Sequence, residues 1–259
     1  MDLDDFQKIV EKKPLIHHIT NDVTINDCAN ITLNWGGLPV MAPGFEEVDE
    51  MVELASALVL NIGTITSKQI KAMIKAGKKA NKLNIPVILD PVGAGATKFR
   101  TEAVMEILKK VEITVLKGNI GEISVLAGKE GEVKGVEAIG EYKEIKESAK
   151  ILAKKHNSIV TVSGKEDIVT DGNKLFLSKK GHPLMGEVVG TGCMLASTLG
   201  VFAASKKFLD KNIFDLIKSA VFYYGVSGEK AALHSSTPAK YKTEFLDSVY
   251  KISRGQLKL

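Results

Sequence analysis

From Ala57 onward, short apolar runs alternate with longer amphipathic stretches, the alternation expected of buried strands and one-sided helices. ALVLNIG (57–63) predicts a strand, Lys68 to Asn84 a helix, and IPVILDPVGAG a second strand running into a turn. The pattern then predicts a helix around Thr101 to Val111, the strand ITVLKGN (113–119), and a helix from about Glu122. A helix through Ile145 to Lys155 and the strand SIVTVSG (158–164) follow. Runs this uniformly apolar belong in a mostly parallel sheet covered by helices on both faces. DIVTDGNKLFLS predicts a hairpin, with Asp171, Gly172 and Asn173 supplying the positive-φ residues of a tight turn. Three helices complete the chain, at Gly192 to Ala204, Phe214 to Ala232 and Lys240 to Ile252. Gly128 to Gly140, rich in glycine and charge, predicts an exposed loop before a helix. No linker, repeat or low-complexity tract interrupts the pattern, so residues 1–259 are expected to form a single domain.

Composition narrows the function classes. The hydrophobic share of 44% is ample for a sizeable core. A net charge of +4, spread over 35 basic and 31 acidic groups without a block of one sign, gives no nucleic-acid arm. No apolar run approaches the roughly 20 residues that span a bilayer, and the acidic-then-basic start is unlike a secretory signal. Two cysteines, Cys28 and Cys193, make no disulfide framework, and a cytoplasmic setting is expected. The chain has only two arginines, Arg100 and Arg254. Any phosphate site must therefore rest on backbone N–H groups, lysine and metal rather than on paired guanidinium groups.

The candidate chemistry lies in two places. Neither a G-x-x-x-x-G-K-[ST] loop nor a complete G-x-G-x-x-G is present. Gly190, Thr191, Gly192 and Cys193 instead lead straight into an apolar helix, and glycines at a helix mouth let the backbone approach an anion. A plain glycine turn capping a buried helix is the alternative. The second place is a set of strand ends, with Asp90 closing one strand and Asn119 and Glu122 following the next. Ligands of open parallel sheets bind at that rim, and two carboxylates there suit hydrated Mg²⁺. A turn role for Asp90 and a reciprocal helix cap for Asn119 and Glu122 remain open. Adjacent strand residues point to opposite faces, so His17 and His18 are expected to be structural or pocket-wall groups rather than one metal site. Cys28, in a helical segment, reads as a small core residue.

NIGE (119–122) is similar to the N-x-x-E metal motif of ribokinase-like kinases, and GTGC (190–193) to their anion hole, with Cys where sugar kinases carry Asp. That variant, together with HHITNDVTINDCAN, LPVMA, LVLNIGT and LDPVGAGAT, resembles the hydroxyethylthiazole kinase family from about Pro14 to at least Ala204. The resemblance implies a three-layer α/β/α ribokinase-like fold with a mostly parallel central sheet. It implies ATP- and Mg²⁺-dependent phosphorylation of the hydroxyl of 4-methyl-5-(2-hydroxyethyl)thiazole, in thiamin biosynthesis or salvage. By position, Cys193 would face the substrate hydroxyl, and Gly190, Thr191 and Gly192 would form the anion hole. Met41 and Gly190, with Asn21, would border the thiazole; Lys117 and Ser163 would meet ATP; Asp90 and Glu122 would serve Mg²⁺. A homotrimer with active sites between subunits is also implied. Two positions depart from the family's usual residues, Lys117 standing for Arg and Ser163 for Thr. The competing classes are a sister kinase acting on a hydroxymethylpyrimidine or pyridoxal-like alcohol, and a non-catalytic binding protein on the same scaffold.

Overall fold

A computed structural model of the chain describes residues 1–128 and 139–257. Most of the loop expected over Gly128 to Gly140 lies outside the described residues. The elements run α1 Leu3–Lys12, β1 Leu15–Ile19, α2 Ile25–Asn34, β2 Leu38–Met41, α3 Val48–Leu54 and β3 Ala57–Asn61. Next come α4 Ser67–Lys82, β4 Val87–Asp90, α5 Lys98–Lys110, β5 Val115–Asn119, α6 Ile120–Leu126 and α7 Ile139–His156. The chain continues with β6 Ile159–Ser163, β7 Asp167–Thr170, β8 Leu175–Ser178, α8 Thr191–Ala204, α9 Ile213–Ala232 and α10 Pro238–Ser253. The eight strands form one sheet in the order β2-β1-β3-β4-β5-β6-β7-β8. Pairing is parallel from β2 to β6 and antiparallel for β7 and β8. The first 56 residues, which the strand–helix alternation did not parse, supply the β1–β2 edge.

Side-chain alternation explains the two cores. In β3, Ala57 and Val59 face one side, against α2, α8, α9 and α10, while Leu58 and Leu60 face the other, against α3 to α7. All five β3 residues are buried, which is why the first four read as an unbroken apolar run. His17 and His18 divide in the same way. His18 bonds Ile16 O at 3.0 Å and Ser197 Oγ at 3.2 Å, and burial lowers its pKa to about 4, so the ring is neutral. His17 bonds Ala42 O at 2.8 Å on the opposite face. Cys28 is buried in α2 as expected, and burial pushes its thiol up to about 11.

Helix starts follow local capping chemistry. Thr66 and Gln69 close a capping box on α4, and the Thr97 hydroxyl caps α5, which therefore begins at Lys98 rather than near Thr101. In the β7–β8 hairpin only Gly172 takes a positive φ, 91°. Asp171 Oδ1 instead accepts from the N–H groups of Asn173 at 2.9 Å and Lys174 at 2.6 Å, so a side-chain turn replaces the further left-handed residues expected there.

Helix α8 lies close on the sheet because Gly200 leaves room for it. A Cβ at Gly200 would come within 2.7 Å of Val59 Cγ2 and 3.2 Å of Ile16 Cγ2, both on stiff β-branched side chains. Gly200→Ala sets a helix-propensity gain of about 1 kcal/mol against an overpacking cost of about 1–3 kcal/mol. We expect overpacking to prevail, with a lower urea midpoint at unchanged slope; a raised midpoint would show that α8 can move off the sheet freely.

Candidate active site

The strand order reverses between β1 and β3, whose loops lead to helices on opposite faces of the sheet, the arrangement at whose carboxyl rim open parallel sheets form a ligand crevice. Asn21 follows β1, Asn61 ends β3 and Asp90 ends β4 directly opposite Asn61 in register. Lys117 lies in β5, Asn119 ends it, and Ser163 ends β6 opposite Asn119. Two polar ties hold the loops together. Arg100 donates to the carbonyls of Ile62 at 2.8 Å, Gly63 at 2.7 Å and Val92 at 2.9 Å, joining the β3 and β4 loops. Glu122 accepts from Gly93 N–H at 2.9 Å and Asn119 N–H at 2.8 Å, joining the β4 loop to α6. The other arginine, Arg254, bonds Ser253 Oγ at 2.7 Å at the end of α10. Both guanidinium groups are thus engaged in structural bonds.

The α8 mouth closes this rim. Gly190, at φ 97°, is the N-cap residue, and no side chain caps the first turn. Its left-handed backbone and its closeness to Thr24, 2.8 Å from where a Cβ would stand, both require glycine. Thr191 turns its hydroxyl away to Met185 O at 2.9 Å, and Tyr224 donates to Thr191 O at 2.5 Å, fixing where the helix begins. The Lys117 ammonium lies 3.1 Å from the place a Gly192 Cβ would occupy. An uncapped helix start and a buried ammonium, both electropositive, therefore converge on one spot.

Charge at the rim is only partly compensated. Lys117 pairs with Asp90 at 3.3 Å, and both side chains are buried. Burial raises Asp90 to about 6; Lys117 lowers it and Glu122 raises it. Burial opposes the charge of Lys117, but Asp90, Glu122 and Cys193 outweigh it and move the ammonium above its usual range. Asp167, at the start of β7, is also raised to about 6 by burial, against a bond from Gly164 N–H and the field of Lys117.

Of the residues expected at the site, Asn21, Asp90, Lys117, Glu122, Cys193 and the glycines come together. Asn21 Nδ2 reaches Cys193 Sγ at 3.4 Å, and Glu122 closes the capping box of α6 while its field acts on Asp90. Ser163 sits half-buried on the same rim, its hydroxyl 3.4 Å from Gly118 O. Met41 ends the edge strand β2, half-buried, with β1 between it and the Asn61–Asp90 pair. Asn61 was not singled out from the sequence, although it is buried and bonds both Asn21 and Asp90. Its place at the end of an apolar strand was the available signal, the same one that marked Asp90.

A mostly parallel sheet covered by helices on both faces, with a glycine-led helix mouth over a lysine and two acids at its carboxyl rim, is the three-layer architecture of ribokinase-like proteins. A ribokinase-like superfamily protein from Enterococcus faecalis shares that fold, with a TM-score of 0.67 at 15% identity over 98% of this chain and 96% of its own. Residues 6–255 match the model of the hydroxyethylthiazole kinase family, and the chain belongs to that family. It is similar to a hydroxyethylthiazole kinase from Thermoanaerobacter sp. strain X514, 53% identical over 94% of this chain and 92% of the relative. A hydroxyethylthiazole kinase from Methanocella arvoryzae is 50% identical over 96% and 92%. The solved structure of a hydroxyethylthiazole kinase protein from Pyrococcus horikoshii OT3 superposes with a TM-score of 0.87 at 40% identity, covering 96% of this chain and 92% of that one.

The ion pair predicts a pH-dependent defect. Because the folded pKa of Asp90 lies above the unfolded value of 3.8, the folded state holds more protons. The contribution of Asp90 to stability therefore falls as pH rises from about 4 through about 6 and levels off above that. Lys117→Met removes the compensating charge, and we expect a loss of about 3–5 kcal/mol at pH 8 that shrinks at pH 5. Urea denaturation at the two pH values in magnesium-free buffer measures it; an equal loss at both would detach Asp90 from Lys117.

Proposed function

We propose that this rim transfers the γ-phosphoryl group of ATP to the alcohol of 4-methyl-5-(2-hydroxyethyl)thiazole, a step in thiamin biosynthesis or salvage. The observation that carries the reading is the meeting of the uncapped α8 mouth, the Lys117 ammonium and the Cys193 sulfur. Phosphoryl transfer asks a protein chiefly to align donor and acceptor and to neutralise charge on the moving group. The first N–H groups of α8 and the buried Lys117 supply that neutralisation. Cys193 faces the acceptor hydroxyl; as the new O–P bond forms and the P–O bond to ADP breaks, the hydroxyl proton passes to its sulfur, which must enter the step as the thiolate and leaves it as the thiol. Alignment can lower the barrier by several kcal/mol, up to about 7–11 at the ideal limit, whereas a general base gives about 10²–10⁴-fold. A cysteine thiolate therefore suffices where a stronger base is not the main source of rate.

The acids fit a divalent cation. Asp90 and Glu122 repel one another, and Lys117 offsets one of the two charges, so a cation relieves the remaining excess. Mg²⁺, held by these two residues partly through water, supplies charge neutralisation for the phosphates when bound. Lys117 and Ser163 border the nucleotide side, while Met41 and Gly190 border the thiazole, with Asn21 reaching it beside Cys193. Exposed Val23 and Val189 flank the Thr24–Gly190 contact, which accords with a homotrimer whose subunits cover that edge. Among the described residues no helix is long and apolar enough to cross a membrane. The free thiols of Cys28 and Cys193 accord with a reducing, cytoplasmic setting.

Incubation with ATP, Mg²⁺ and a panel of thiazole, hydroxymethylpyrimidine and pyridoxal-like alcohols tests the function. ADP release should depend on the thiazole alcohol, and preference for another alcohol would transfer the site to a sister kinase. In that assay Met41→Ala should weaken the alcohol by about 1–3 kcal/mol while ATP affinity stays nearly constant. If both ligands weaken together, Met41 belongs to the core alone.

Glu122→Gln should raise the magnesium needed for half-maximal rate by about tenfold or more. A magnesium titration that superimposes on that of the parent removes Glu122 from the metal site.

A further inference from the structure

We infer that Asn61 is a positioning residue for the transfer, acting on the Cys193 sulfur through the amide of Asn21; this rests on the kinase reading above. The orientation of a side-chain amide is ordinarily open, because its oxygen and nitrogen have nearly the same shape. Here two backbone donors decide it. Thr24 N–H donates to Asn21 Oδ1 at 3.0 Å, and Gly63 N–H donates to Asn61 Oδ1 at 2.9 Å. A backbone N–H can only donate, so each amide must present its oxygen there and its nitrogen elsewhere.

The nitrogens then form a directed chain. Asn61 Nδ2 donates to Asp90 Oδ2 at 2.8 Å. Asn21 Nδ2 donates to Asn61 Oδ1 at 3.0 Å, to Thr24 Oγ1 at 2.9 Å and to Cys193 Sγ at 3.4 Å. Two hydrogens serve those three acceptors. Holding one of them on Asn61 Oδ1 turns the other toward Thr24 and the sulfur. Both asparagines are buried, so water does not compete for these bonds. The chain spans the crevice between β1 and β3 and ends with an N–H on a carboxylate at one side and an N–H on sulfur at the other. A donor on the sulfur stabilises the negative charge it must carry before the hydroxyl proton reaches it, and it leaves the sulfur's other side free for the alcohol.

A purely structural role is the rival explanation, since both side chains also close the turns after their strands. The two roles separate in an experiment that needs no turnover. Iodoacetamide alkylation of the ligand-free protein at fixed pH, with the Cys193 and Cys28 peptides resolved by mass spectrometry, reads the sulfur directly. In Asn61→Ala the rate at Cys193 should fall roughly three- to tenfold, the effect of one lost hydrogen bond, although Asn61 makes no bond to the sulfur. The kcat should fall by a similar factor while KM for the alcohol stays within about twofold, and the fall should shrink in a Cys193→Ala background. If the alanine variant does not fold, Asn21→Ser serves instead. Its hydroxyl can still accept from Thr24 N–H but is too short to reach the sulfur, and it should slow alkylation by the same range. An unchanged alkylation rate in a folded variant, or a kcat loss of equal size with and without Cys193, overturns the inference. If alkylation responds but no alcohol is phosphorylated, the amide relay stands and the kinase reading falls.

Discussion

Two electropositive groups, the half-buried, uncapped start of α8 and the buried Lys117 ammonium, are held together, and the rim is organised around that juxtaposition. Neither is stable there alone. The helix start leaves its first N–H groups without side-chain partners, and a buried ammonium needs an opposite charge. Asp90 meets the second need from the neighbouring strand, but its own burial keeps it from being a complete answer, which is why its pKa stands near 6. Further negative charge is accommodated by the helix mouth. In the proposed function, an arriving phosphate would complete this electrostatic arrangement.

Holding that arrangement in place falls to backbone-directed bonds. Arg100 and Glu122 tie three successive strand loops by their carbonyls and N–H groups, so the separation of Asn61, Asp90 and α6 is set by main chain rather than by flexible side-chain pairs. Both of the chain's two arginines are used in this structural way. The fork of Arg100 is matched to carbonyls, and the anion is left to lysine and amide dipoles.

The strands from Ala57 to Ser163 were legible because burial on both faces makes each a continuous apolar run. Asp90, Asn119 and Glu122 were legible because a polar residue that ends such a run must lie on the rim. By the same rule Asn61 was readable, but an asparagine before a glycine looks like turn chemistry, and only the register opposite Asp90 shows it facing inward. The β1–β2 edge was harder. Its histidines, asparagines and prolines break the alternation, because His17 and His18 are buried by bonding to Ala42 O and Ser197 rather than by being apolar. Glu122 satisfies both readings offered by sequence, since one carboxylate closes the cap of α6 and still acts electrostatically on Asp90.

The two cysteines show why residue type alone does not assign chemistry. Cys193 lies close enough to act on the Cys28 thiol, yet Cys28 is sealed in α2 with its thiol pushed up to about 11, chiefly by burial, and Cys193 stands in the first turn of α8, partly exposed. What separates them is access and the neighbouring donors. Cys193 has the Asn21 N–H, the helix start and the Lys117 field on its protein side and an open side toward the crevice. Its location is set in turn by Gly200, two helical turns further along, where the missing Cβ lets α8 settle onto Val59 and Ile16. Val59 precedes Asn61 by two residues on β3, so one rigid helix–strand contact fixes the sulfur and the amide chain against the same strand. Close packing in the core thereby becomes alignment at the rim, and alignment is the larger part of what phosphoryl transfer requires.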